Sequence, residues 1–171
     1  MRLKGCNIDK YKVKWFTEDF RGCVATKNIK SGEEVVRMKH NCILVDTMAH
    51  KHPLLKDYKV EDNKEYRYLL AIFVHLERKN PDSVWKDYLA TWPKSVDEFP
   101  EMFNEAQMAE IKGTELEQYV KFGKQLKQDQ YKLVCSKIPH IAEHISEKEY
   151  IQTLILMESR TFKYPDGHIA L

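Results

Sequence analysis

Near residue 60 the spacing of apolar side chains changes from two to three-and-four, and this change constrains the fold more than any other feature. Before it, four short runs read as strands: Lys12–Thr17, Gly22–Lys27, Glu34–Lys39 and Cys42–Asp46, with a turn at Lys30-Ser31-Gly32-Glu33 between the second and third. Lys10, Lys12 and Lys14 alternate with Tyr11, Val13 and Trp15, the pattern of a half-exposed strand. After residue 60, Tyr66, Leu69, Leu70, Phe73, Val74 and Leu76 mark one buried face of a helix. Ser83–Trp92 reads as a shorter helix carrying aromatics.

Helix starts are marked by side chains that can cap a free amide. Asn104 with Gln107 opens one helix, and Gly113 is its expected stop. Thr114 with Glu117 opens a long helix to about Ser136, and Ser146 with Glu149 another to about Ser159. Leu69, Leu70, Phe73, Trp85, Tyr88, Leu116 and Tyr119 are the expected core of this region. In the tail, Phe162 and Tyr164, the Pro165-Asp166-Gly167 turn, then Ile169 and Leu171 read as a hairpin.

A chain that is 43% hydrophobic can bury a core. No apolar run approaches the roughly 20 residues that cross a bilayer, and the first residues lack the apolar segment of a secretion signal. An intracellular protein, cytoplasmic or nuclear, is expected. Cys6, Cys23, Cys42 and Cys135 contain no C-x-x-C pair and read as reduced packing residues. The first 60 residues hold 13 Lys and Arg against 7 Asp and Glu, and the remainder 15 against 19. The basic third reads as a solvated lysine face rather than a nucleic-acid surface.

Two histidine groups resemble metal motifs. His140 to His144 fits H-x-x-E-H, which on a helix would place two imidazoles one turn apart. Pro139 and the apolar Ile141 and Ile145 favour solvent-facing histidines, and His50 and His52 are read the same way. No metal is expected.

Three stretches, in order, carry a family resemblance. Asp19 to Val35, DFRGCVATKNIKSGEEV, follows an acidic residue, a G-x-G turn and L-x-A-T/L-x-x-I-x-x-G-E-x-[VL]. Leu69 to Gln118 follows a helical pattern with N-P-x-S-x-W-x-P-Y-L, F-P and G-T as landmarks. Glu158 to Leu171 contains S-R-x-F. Together they resemble the SET-domain protein methyltransferases of the group containing plant Rubisco large-subunit lysine methyltransferase and actin-histidine methyltransferase.

The resemblance implies an α+β fold: a small antiparallel β region of a SET domain with a large helical insert. It implies residues 1–60 as the N-terminal β region, 61–158 as the insert and 159–171 as the start of the C-terminal β region. The catalytic Asn-His pair and tyrosine are expected beyond Leu171, so the chain alone is expected to be inactive. S-adenosylmethionine is the implied cofactor, with Asp19, Arg21, Gly22 and Arg160 around it. Gly22, one of six glycines, would let the cofactor lie against the backbone. Thr161 and Phe162 fall at the substrate channel, and Phe20 stands where the group has its first glycine.

The implied partner is a protein substrate, methylated on lysine or, second, histidine; neither a membrane nor nucleic acid is expected. Val35, Val36, Ile43 and Val45 are expected to lack cover, so unpaired strand edges would favour self-association. The competing reading is a non-catalytic SET module that binds a protein through its helical insert.

Overall fold

The computed structural model describes residues 6–18, 20–165 and 168–171. Asp19, and Asp166 and Gly167 of the expected turn, lie outside the described residues. The chain forms two compact units, Met1–Leu44 and Val45–Leu171.

The first unit contains one antiparallel hairpin. Strands β1 (Tyr11–Trp15) and β2 (Arg21–Ala25) pair in a register that sets Tyr11 opposite Ala25 and Trp15 opposite Arg21. The third and fourth expected strands do not form as strands. Residues 34–39 contribute one isolated bridge, in which Asn7 and Arg37 exchange backbone hydrogen bonds of 2.8 and 2.9 Å. Side chains take up the neighbouring groups: Lys10 Nζ donates to the Glu34 carbonyl at 2.6 Å, and Glu34 pairs with Arg37 at 2.7 Å. Val35 and Val36 are adjacent and both partly exposed, so neither face of this segment has an apolar cover that would fix a register. His40–Cys42 is a single 3₁₀ turn where the fourth strand was expected to begin.

The second unit is mainly helical: α1 (Glu65–Lys79), α2 (Lys86–Leu89), α3 (Glu105–Glu110), α4 (Glu115–Lys137) and α5 (Glu147–Glu158). Helix α1 packs against α5, α4 and a 3₁₀ segment, Asp46–Lys51. Leu69, Leu70, Ile72 and Val74 of α1 meet a core that includes Val120, Val134, Tyr150, Leu154 and Met157. The expected core needs two corrections. Leu116 and Tyr119 are exposed, because α4 turns inward the face carrying Val120, Lys127 and Val134, spaced seven apart. Trp85 and Tyr88 are only half-buried.

The cap signals are realised in atoms. Asn104 and Gln107 exchange side-chain and backbone bonds in both directions, and so do Ser146 and Glu149. Thr114 forms half of such a box: it accepts from the Glu117 amide, while the Glu117 carboxylate accepts from Gly113 N at 2.6 Å. Helix α3 stops at Glu110 with Ile111 as its cap, and Gly113, two residues further on and just before the Thr114 cap of α4, has φ +81°, a left-handed conformation that favours glycine.

The tail hairpin forms as β3 (Phe162–Lys163) and β4 (Ile169–Ala170). Ala170 also bridges to Val45, which is therefore buried rather than uncovered. Next to it, the fully buried Asp46 accepts from the Ile169 amide at 3.1 Å and contacts His168 Nδ1 at 3.0 Å. This polar clip satisfies a carboxylate that would be costly to bury alone.

No helix among the described residues is long and apolar enough to cross a membrane.

Candidate functional site

Arg21 and Gly22 lie on β2 in the first unit, opposite Trp15 and Lys14. Gly22 has no positive φ, so backbone freedom does not explain it. The space beside it is tight but can give: a Cβ on Gly22 would meet Phe16 Cε2, on a half-exposed ring, at 3.3 Å. The rings of Phe16 and Phe20 are 5.4 Å apart, and Thr17 Oγ1 accepts from the Phe20 amide at 3.0 Å, closing the turn between the strands. The Arg21 guanidinium lies over Trp15, 5.5 Å from the ring centroid. Val13, Trp15 and Phe20 are each more than half exposed, so the hairpin presents an aromatic, basic surface.

Arg160, Thr161 and Phe162 lie at the end of α5 in the second unit. Helix ends leave carbonyls without partners, and this one meets them with its own next residues. Arg160 Nη1 donates to the Leu156 carbonyl at 2.9 Å and to Ser159 Oγ at 2.6 Å. Thr161 Oγ1 donates to the Met157 carbonyl at 2.6 Å. Phe162 follows with 76% of its surface exposed. The structure therefore brings Arg160 to Phe162 together in one turn and Arg21 and Gly22 together in one hairpin.

Three residues join Arg160 that the site reading from sequence did not include. Its guanidinium lies over the Trp92 ring, 5.3 Å from the centroid, and Arg78 lies over the same ring at 5.9 Å. Tyr88 meets Trp92 edge-on at 5.9 Å. Burial lowers the Arg78 pKa from its ordinary value, and among the described residues no carboxylate forms an ion pair with Arg78 or Arg160. Trp85, Tyr88 and Trp92 recur at helical spacing, and that spacing suggested packing, not the company of an arginine.

The His140 motif is not built as a metal site. His140 has φ 64° and precedes a short 3₁₀ turn, Ile141–Glu143, so His140 and His144 do not stand one α-helical turn apart. Both are exposed, and His140 Nδ1 contacts Glu143 at 2.8 Å. No group of three metal-ligating side chains occurs among the described residues.

No protein-family model matches the sequence, and no curated protein matches it. Solved structures do. The SET domain of LSMT bound to lysine and AdoHcy superposes with a TM-score of 0.78, at 16% identity, over 98% of this chain and 40% of that one. The fold is that of a SET domain. The same domain bound to methyllysine and AdoHcy gives 0.74, and Rubisco LSMT bound to AdoMet gives 0.73, each at 16% identity over 95% of this chain and 38% of the other. The α+β class expected from sequence, small antiparallel β elements with a large helical part, is thus found. The chain spans about two fifths of the length of these neighbours.

Proposed function

We propose that this chain is the donor-binding and helical-insert part of an S-adenosylmethionine-dependent protein methyltransferase, acting on lysine and, as second choice, on histidine. One observation carries the reading: a SET fold over 98% of the chain, shared with structures holding AdoMet or AdoHcy. The order of three sequence motifs supports it independently.

The groups present suit that cofactor. The first unit offers Gly22 on β2, at the turn where the resembling group holds its cofactor. The second offers the Arg160 guanidinium, which no carboxylate among the described residues neutralises and which suits a carboxylate. When bound, S-adenosylmethionine supplies a methyl group carried on a sulfonium. On this reading, which follows the motif resemblance, Asp19, Arg21, Gly22 and Arg160 are the donor-binding residues, and Thr161 and Phe162 border the entering side chain. The entering nitrogen must present a lone pair, so a protonated lysine has to lose its proton before it attacks in line.

Incubating the full-length protein with radiolabelled S-adenosylmethionine and protein extracts tests the proposal. Label should enter protein, and Arg160→Ala should reduce it. Absence of transfer together with retained binding to a protein partner would favour the second reading, a non-catalytic SET module. That reading draws on Phe20, which stands at a glycine position of the resembling group.

A further inference from the structure

We propose that Trp92 is a positioning residue: its indole holds the Arg160 side chain and so fixes the turn from Ser159 to Phe162. The relevance of that turn to methyl transfer rests on the function proposed above; the hold on Arg160 does not.

Trp92 is itself fixed. Its amide donates to the Leu89 carbonyl at 3.2 Å as the chain leaves α2, and Pro93 follows, which prevents the helix from continuing. The residue is 4% exposed. Tyr88, one turn back, meets its ring edge-on and limits rotation of the indole.

Arg160 lies just beyond α5. Its Nη1 bonds tie the head of the side chain to the last turn of the helix. A guanidinium on a long, flexible stem keeps one pose only where several contacts agree. The indole face supplies the missing one, because tryptophan is the strongest of the aromatic partners for a cation. Arg78 shares that ring and comes from α1. Trp92 thereby links the end of α1, the segment after α2 and the end of α5 at one point. The Arg160 and Thr161 amides both donate to the Met157 carbonyl, at 2.9 and 3.0 Å. The Arg160 and Thr161 side chains bond the Leu156 and Met157 carbonyls of that same turn, so the turn that holds the Arg160 head also sets Thr161 and Phe162.

The test compares Trp92→Phe, which keeps an aromatic face, with Trp92→Leu, which keeps only apolar bulk. In the wild-type chain the Arg160 Nε–H resonance should be displaced upfield by the indole ring current, and the side chain should relax as a rigid group. Trp92→Leu should return the resonance to its free position and make the side chain mobile; Trp92→Phe should retain both properties in large part. In the full-length protein, Trp92→Leu should weaken S-adenosylmethionine binding roughly two- to thirtyfold, the range that loss of one cation–π contact supports, and Trp92→Phe should restore it.

An unshifted Arg160 resonance in the wild-type chain overturns the proposal even if Trp92→Leu fails to fold. So does an unchanged Arg160 in Trp92→Leu, or a Trp92→Phe that behaves like Trp92→Leu, since the ring would then be filler. Unchanged donor affinity despite a released Arg160 removes the link to the site. A wild-type protein that shows the Arg160 signature but binds no donor removes the methyltransferase reading and leaves the hold on Arg160 standing.

Discussion

Glu149 shows how much one side chain can do here. It accepts from the Ser146 amide and hydroxyl, and it pairs with Lys79 at 3.0 Å. The Ser146 backbone bond first, then Lys79, hold its pKa down at about 2, from 4.5. A carboxylate depressed by folding adds stability above its unfolded pKa and loses it as pH falls through the folded value. With 38% of the side chain exposed, solvent screens the Lys79 contribution. We expect Glu149→Gln to cost about 1 kcal/mol at neutral pH in urea unfolding. The gap to wild type should narrow from pH 4.5 toward 2; a constant gap would mean that the cap works without its charge. Gly22 poses a different question at the same scale. The Phe16 ring facing it is itself 49% exposed and free to yield a few tenths of an ångström. Gly22→Ala should therefore change stability by less than about 1 kcal/mol. If the donor lies against this backbone, the same variant should lose donor affinity, so equilibrium binding and unfolding measured side by side separate the two roles of the glycine.

Among the elements, α4 carries a charge that its own surroundings must neutralise. Lys127 is nearly buried, with 8% of its side chain exposed, and it pairs with Glu101 at 3.0 Å, itself 10% exposed, and with Glu158 at 3.2 Å. Removing one member of a buried pair strands the other in a poor solvent. Lys127→Ala should destabilise by about 3 kcal/mol, and Lys127→Met with Glu101→Leu by much less. Equal losses in thermal unfolding would show that the charges contribute little beyond volume. Most helices were legible because their starts are local: Ser146 and Glu149 need only each other. Residues 34–39 carry a strand pattern but form only one bridge, because a strand needs a partner that no local pattern names, and here Lys10 and Arg37 claim the neighbouring groups. The inward face of α4 was also illegible in advance. Leu116 and Tyr119 are apolar, yet the helix is rotated to bury Lys127, whose partner Glu101 lies 26 residues away. In the candidate site, Arg160 and Phe162 are singled out by their motif alone, whereas Trp92 carries no such mark, because its contact with Arg160 depends on where α5 ends in space.

For the whole molecule, the contrast between units predicts a gradient of protection. Amides in the buried turns of α1, α4 and α5 should exchange with solvent slowest, and those of residues 34–39, which share one bridge, fastest. Hydrogen exchange of a dilute monomeric sample checks this, and slow exchange across residues 34–39 would show an order that one bridge does not explain. The bridge between Val45 and Ala170 has a wider consequence. The chain leaves for its long helical excursion and returns from it at neighbouring points, as a detour leaves and rejoins a road at the same junction. Closing such a circuit costs only slowly more as it lengthens. The helices between can thus grow, shrink or change their outer surface while the junction stays put. Diversity in what such proteins touch can accumulate in the detour, without renegotiating the strands on either side of it.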